Sequence, residues 1–245
     1  MKTLILIPVR MASVRFPNKP MALIDGKPMI QRVWEKAIQS KVGDVIVACA
    51  DKEIFNLIKS LGGNAEMTDP KIKSGTDRIY AAINNYANLD QIDSIINLQG
   101  DMPLIDSDHI KQVNVPLKQG FDIGTLVTDL QKNQINNNNI TKAKIDWINY
   151  LKIGHARNFF KTNNDKSTQN IYHHVGIYSF KFSTLKKFVK LPQSKNEINL
   201  KLEQMRALDG KMTIGATYVK NVPISVDTKD DLFEIEGIIG KNAKR

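Results

Sequence analysis

Leu4-Ile5-Leu6-Ile7-Pro8-Val9-Arg10-Met11-Ala12-Ser13-Val14-Arg15-Phe16-Pro17-Asn18-Lys19-Pro20 runs from an apolar stretch into a loop that carries three cations. Four β-forming residues stopped by a proline read as a parallel strand buried on both faces. Open α/β sheets place ligands just beyond the carboxyl ends of such strands. The loop is therefore the expected ligand site. Arg10, Arg15 and Lys19 recur through a segment whose small residues let backbone N–H groups turn inward, an arrangement suited to a polyphosphate. A triphosphate is the natural guess, and a solvated basic loop is the alternative.

Outward from this stretch the chain alternates. Met21 to Ile24 reads as a short strand and Asp25-Gly26 as a turn. Met29, Ile30, Val33, Trp34, Ala37 and Ile38 then have the spacing of an amphipathic helix entered through Pro28. Val45 to Ala48 is a second buried strand. Asp51 is the expected cap of a helix with Ile54, Leu57, Ile58 and Leu61 on one face, ended by Gly62-Gly63. Asn64 to Met67 reads as another strand. This repeated βα alternation predicts an α/β, Rossmann-like, mostly parallel sheet with helices on both faces.

Two later stretches carry chemistry. Ser74-Gly75-Thr76-Asp77-Arg78 precedes a helix bearing Ile79, Ala82, Ile83 and Tyr86, so its exposed N–H groups suit an anion or a base edge, or simply an ordinary N-cap. The strand Ile95-Ile96-Asn97-Leu98 runs into Gln99-Gly100-Asp101-Met102-Pro103. A lone acid at a strand's carboxyl end suits magnesium, which takes only one or two protein carboxylates and fills its shell with phosphate and water. Asp101 is the first candidate metal ligand, against a reading as a turn residue before proline.

Leu104 to Leu117 is predicted helical and Ile123 to Val127 a strand. From about residue 130 to 172 the rhythm is lost around Asn136 to Asn139, Ile140 to Trp147 and Tyr150 to Ile153, which predicts a small mixed β lobe used as a lid or dimer contact. His173 to Tyr178 resumes strand character, with the two histidines on opposite faces, so one of them serves as a hydrogen-bonding residue. His109 and His155 show no zinc-ligand spacing. Phe182 to Val189 and Leu200 to Leu208 are predicted helices. Ile224 to Thr228 places Asp227 at a strand end or as the cap of a terminal helix opened by Asp230-Asp231-Leu232.

Composition narrows the classes. A chain of 245 residues, 42% hydrophobic and 24% charged, has enough length for a sizeable core, here expected as a single domain over 1–245. No apolar run approaches the roughly 20 residues that span a bilayer, and Pro8 and Arg10 interrupt the first run too early for a signal peptide. A cytoplasmic protein with no membrane partner is expected. One cysteine, Cys49, excludes an internal disulfide framework and reads as a core residue. The net charge of +10 is scattered, without an aromatic-basic module, so no nucleic-acid partner is expected and an anionic small molecule fits better.

Taken together, IPVRMASVRFPNKP, DGKPMI, SGTDR, NLQGDMPLI, HHVGIYSF, LEQMRAL and VDTKDDL occur in the order found in the 3-deoxy-manno-octulosonate cytidylyltransferase (CMP-Kdo synthetase) family, which the chain resembles over nearly its whole length. The resemblance implies a nucleotidyltransferase of the sugar-nucleotide type, with Mg2+ as cofactor. It would join CMP from CTP to an acidic 2-keto-3-deoxy sugar for lipopolysaccharide synthesis and release pyrophosphate, working as a homodimer. Carried over by position, Arg10, Ser13, Arg15 and Lys19 would line the phosphates, with Arg10 and Lys19 as electrostatic catalysts. Ser74 and Gly75 would lie near the cytosine. Arg78, Gln99, Arg157, His174, Glu203 and Gln204 would face the sugar, and Asp101 and Asp227 would hold magnesium. Three positions depart from the family's usual residues: Met102 replaces an acid, Lys73 a glutamine and Ala156 a serine. They leave open an 8-amino-Kdo or nonulosonic acid substrate, and a non-catalytic nucleotide-binding relative is the reading from another class.

Overall fold

The computed structural model describes all residues except 14, 85, 88, 149–151, 163–168, 222–223 and 243–245, and leaves aside the side chains of 240–242. Val14 of the basic loop and Tyr150 and Leu151 of the expected 150–153 strand thus lie outside the described residues. In chain order the elements are β1 (Thr3–Val9), β2 (Leu23–Ile24), β3 (Lys27–Pro28), α1 (Met29–Ser40), β4 (Asp44–Cys49), α2 (Lys52–Ser60), β5 (Asn64–Met67), α3 (Gly75–Ile83), β6 (Ser94–Asn97), α4 (Ser107–Gln112), α5 (Val115–Lys118), β7 (Ile123–Asp129), β8 (Lys142–Ile148), β9 (Ile153–Phe160), β10 (Ile171–Lys181), α6 (Phe182–Phe188), α7 (Lys195–Leu200), α8 (Gln204–Asp209), β11 (Ile214–Tyr218) and α9 (Lys229–Asn242).

The chain divides into two compact units, the first made of Met1–Ile92, Asn97–Ile110 and Pro223–Arg245, the second of Asp93–Ile96 and Lys111–Val222. In the first unit β1 is buried along its whole length and pairs in parallel with β4, Leu6 opposite Ile46, while β4 pairs in parallel with β5. Helices α1 and α2 pack on β4, and α3 on β1. Buried residues Met29, Ile30, Val33 and Ala37 of α1 follow the helical period, whereas Ile38 is exposed. Asp25 and Gly26 both adopt positive φ, the backbone demanded by the tight hairpin that joins β2 to β3. Cys49 is a fully buried core residue whose thiol burial pushes up to about 11.

In the second unit β7 pairs antiparallel with β10 and parallel with β11, β11 pairs antiparallel with β9, and β8 pairs antiparallel with both β9 and β10. A register shift between Val175 and Tyr178 marks a bulge in β10. The mixed strands expected between 130 and 172 are therefore present as β8 and β9.

Three local readings are corrected. Leu104 to Leu117 is not one helix: α4 runs from Ser107 to Gln112 and α5 begins at Val115, with Pro116 in its first turn, where the N–H that an unbroken helix would need is missing. Leu200 to Leu208 is split by Lys201, which takes the left-handed conformation and ends α7. Nor do Ile224 to Thr228 form a strand; the backbone there bonds to Asp101 instead, and the Thr228 hydroxyl, not the Asp227 carboxylate, accepts the Asp231 N–H at the start of α9.

Candidate active site

The proline does not stop β1 as expected: Pro8 and Val9 stay paired with Ala48 and Cys49, and only beyond Val9 does the chain leave the sheet, beside a cleft of about 420 Å3 within the first unit. Its floor is the basic loop, which is tied at both ends. The Met11 N–H donates to the Asp51 carboxylate at 2.8 Å, and the Asn18 N–H to the Met11 carbonyl at 3.2 Å. Asp51 starts α2 but makes no capping bond with its side chain; its carboxylate is spent on this loop. Phe16 turns away from the cleft into an apolar cluster with Ile24, Met29, Val226 and Ile235. The cations on either side are thereby held against the opening.

Lys19 is the centre of the cleft's electrostatics. Its ammonium donates to Asp101 Oδ2 at 2.8 Å and to the Val226 carbonyl at 2.7 Å, and lies 3.7 Å from Asp227 Oδ1. Arg15 donates to the same Asp227 oxygen at 2.9 Å. Asp227 is placed there by backbone: the Val226 N–H bonds the Asp101 carbonyl at 2.9 Å, and the Asp231 carboxylate accepts the Asp227 and Thr228 N–H groups. Burial alone would raise the Asp231 carboxyl, but those N–H groups, the Thr228 hydroxyl and the charge of Lys19 outweigh it and hold the group below its usual range.

Ser74 and Gly75 close another wall. The Ser74 hydroxyl accepts the Asp77 N–H at 3.0 Å and so caps α3. Arg78 lines the cleft but is buried, and its guanidinium is engaged with the Thr68 hydroxyl and the Asp69 and Ile72 carbonyls, which fixes the loop before Ser74. Burial, reinforced by the nearby charge of Arg10, shifts Arg78 downward. Gln99 is oriented by donating to the Asn97 side chain at 2.9 Å. At Gly100 an added Cβ would stand 3.3 Å from the Pro8 carbonyl and 3.4 Å from Ile30, so the turn into Asp101 uses the space that a glycine leaves.

The cleft thus gathers Arg10, Ser13, Arg15, Lys19, Ser74, Gly75, Arg78, Gln99, Asp101 and Asp227 from the expected set. Arg157, His174, Glu203 and Gln204 belong to the second unit and do not line it. There Arg157 is exposed and donates to Asp146 at 2.7 Å. His174 is buried, its Nε2 lies 3.0 Å from the Thr125 hydroxyl and its ring packs on Phe159 and Tyr178. Burial, with a smaller push from His173, takes its pKa down to about 3, so the imidazole is neutral at ordinary pH. Burial raises the Tyr178 hydroxyl well above its usual value, with a contribution from the charge of Glu203, which places His174, Tyr178 and Glu203 in one neighbourhood. Gln204 is buried at the start of α8. Of the three departures, Lys73 lines the cleft, while Met102 and Ala156 are buried.

Val226, Asp51 and Asp231 were not singled out for the site by sequence. Only Asp231 had a local signal, the Thr228-x-x-Asp231 capping pattern. The two carboxylates that meet at Lys19 fit a magnesium ion by their chemistry: hard oxygens, two in number, with room left for phosphate and water. Among the described residues no group of three or more His, Cys, Asp or Glu is placed to hold a metal, and no helix is long and apolar enough to cross a membrane.

A family model described as Cytidylyltransferase matches residues 4–214. The 3-deoxy-manno-octulosonate cytidylyltransferase of Paramagnetospirillum magneticum is 39% identical over 238 residues, covering 96% of this chain and 97% of its own. That of Brucella canis is 40% identical over 234 residues, covering 95% and 93%. A solved CMP:2-keto-3-deoxy-manno-octonic acid synthetase complexed with CTP superposes with a TM-score of 0.87 at 28% identity, covering 99% of this chain and 100% of its own. A 4-diphosphocytidyl-2C-methyl-D-erythritol synthase from Anaerococcus prevotii, 9% identical with a TM-score of 0.66 over 98% and 99% of the two chains, shares the fold. Matched from end to end by such relatives, the chain belongs to the 3-deoxy-manno-octulosonate cytidylyltransferase family.

Proposed function

We propose that this enzyme transfers CMP from CTP to the anomeric 2-hydroxyl of Kdo or a Kdo-like acidic sugar, for lipopolysaccharide assembly. The observation that carries the reading is the cleft at the end of β1, where Arg10, Arg15 and Lys19 stand opposite Asp101 and Asp227. The sugar's 2-hydroxyl oxygen bonds to the α-phosphorus, the bond from that phosphorus to the β-phosphate's bridging oxygen breaks, pyrophosphate leaves and the hydroxyl proton passes to water. Arg10, Arg15 and Lys19 orient the triphosphate and neutralise the charge that builds on the leaving pyrophosphate, the main contribution a protein makes to such transfers. Ser74 and Gly75 receive the cytosine at the start of α3. Asp101 and Asp227 would hold magnesium, which would supply further neutralisation of phosphate charge and Lewis acidity. No protein base is required, and His174, whose burial takes its pKa down to about 3, would be a weak one.

Gln99 and Arg78 are assigned to the sugar side of the cleft. Lys73, exposed at the cleft, adds a cation that disfavours an ammonium-bearing sugar and so favours Kdo over its 8-amino variant. The reaction is assigned to the cytoplasm and the assembly to a homodimer formed through the 130–172 lobe. Sedimentation showing monomer alone at micromolar concentration removes the dimer. The deciding assay is pyrophosphate release from CTP and Mg2+ with Kdo, 8-amino-Kdo and N-acetylneuraminate offered separately. Turnover with Kdo is expected, and its absence with all three, despite CTP binding, overturns the catalytic reading in favour of a binding protein.

A further inference from the structure

The four charged side chains at the centre of the cleft cancel one another. Asp101 and Asp227 contribute two negative charges; Lys19 meets both, and Arg15 meets Asp227. Lys19 is the better enclosed of the two cations, its side chain 14% exposed against 58% for Arg15. An ammonium has three N–H donors, and Asp101 and the Val226 carbonyl already use two of them. Lys19 therefore sits on the carboxylate oxygens that a divalent cation would need. A dication at those oxygens would stand beside an ammonium in a partly dehydrated cleft, where like charges repel far more strongly than in water.

We infer that Lys19 is the built-in counter-ion of the Asp101–Asp227 pair, holding the two carboxylates together in the nucleotide-free enzyme and giving them up only when a triphosphate arrives to receive its ammonium. This rests on the reading of Asp101 and Asp227 as the divalent-cation ligands. The consequence is an order of binding: the free enzyme has little affinity for the metal, and metal and CTP enter together. The bond to the Val226 carbonyl adds a second consequence. It ties the segment carrying Asp227 to the basic loop, so the movement of Lys19 toward phosphate loosens the same segment that has to adjust around the metal.

Titration of the nucleotide-free protein with Mn2+ tests this, by calorimetry or by the spin-resonance signal of free Mn2+. Lys19→Gln should bind Mn2+ at least about tenfold more tightly than the wild type, a gain of about 1.4 kcal/mol. Lys19→Arg, which keeps the charge, should bind as weakly as the wild type, and adding Asp101→Asn to Lys19→Gln should remove the gain. Equal or weaker Mn2+ affinity in Lys19→Gln overturns the inference. Should that variant fail to fold, the wild type decides. Its Asp101 and Asp227 carboxyl resonances should stay in place with millimolar Mg2+ alone and move once CTP is added, and movement with Mg2+ alone overturns the inference. Pyrophosphate release by the wild type separates this from the catalytic reading: turnover with unchanged Mn2+ affinity in Lys19→Gln sinks the counter-ion role alone, whereas tightened Mn2+ binding without turnover on any sugar sinks the proposed reaction alone.

Discussion

Asp101 is two-fifths of the way along the chain, yet its carboxylate meets Lys19 and its carbonyl meets Val226, so side chain and backbone have separate tasks. Asp101→Asn keeps the backbone bond and the shape of the side chain. It should cut turnover by roughly a thousandfold or more while leaving the melting temperature nearly unchanged; near-normal pyrophosphate release in a folded variant would refute its role. His174 supplies a prediction of another kind. Its pKa of about 3 lies below the usual histidine value, so below about pH 6.5 the unfolded chain binds a proton that the folded chain refuses. Stability is therefore full above pH 6.5 and falls as pH drops toward 3, by up to about 1.4 kcal/mol per unit. His173 is shifted in the same direction by burial and by the charge of Lys142, and adds to the slope. Urea midpoints measured from pH 7.5 to 5 should show a steeper fall in the wild type than in His174→Gln. At this scale the loop cations and both aspartates were legible, since each stands in a short motif with a charge its neighbours do not explain. Asp51 and the Val226 carbonyl were not: the first acts on a residue 40 positions away, and the second acts through a backbone atom that every residue has.

At the scale of elements, α3 is the piece whose start serves both fold and site. Ser74→Ala removes the acceptor of the Asp77 N–H and should cost about 1 kcal/mol of stability in a urea titration. The same variant should raise KM for CTP more than KM for the sugar, since the cytosine is assigned to this helix start. An equal rise in both would mean that the cap has only a structural role. Strands β1, β4 and β5 and helices α1, α2 and α3 were readable from the period of their apolar residues, although Asp51 spends its carboxylate on the basic loop and Pro8 lies inside β1. Where the reading failed, the deciding group was unusual for its position. Lys201 ends α7 in the left-handed conformation that glycine normally marks, and the Val113-Asn114 break before α5 has no glycine either. Ile224 to Asp227 has the composition of a strand, but its backbone partners are a turn carbonyl and an ammonium, which alternation of side chains does not reveal.

At the scale of the whole molecule, the first unit is assembled from three separate stretches, and the cleft draws on all of them: Arg10 to Arg78 from the first, Gln99 and Asp101 from the second, Asp227 from the third. The cluster of Phe16, Ile24, Met29, Val226 and Ile235 binds the first stretch to the last. Ile235→Ala, which removes no charge from the cleft, should cost about 2–5 kcal/mol in denaturant unfolding and weaken CTP binding as well, because the loop and the Asp227 segment share that cluster. A loss of stability with CTP affinity intact would show that the cluster holds the fold without positioning the site. The α/β class was legible from the order of strands and helices. The division into two units was not, because it depends on the last stretch returning to the first, and nothing local announces that return. The same discontinuity governs how the protein is made. Residues 1–110 are synthesised first, and at about 5–20 residues per second the segment Lys111–Val222 takes on the order of ten seconds to follow before the last stretch can emerge. A nascent chain in that interval has its basic loop and Asp101 but neither Asp227 nor Ile235. A ribosome that stops early anywhere in that segment therefore releases a fragment that lacks the third stretch of the first unit and the part of the cleft wall it carries.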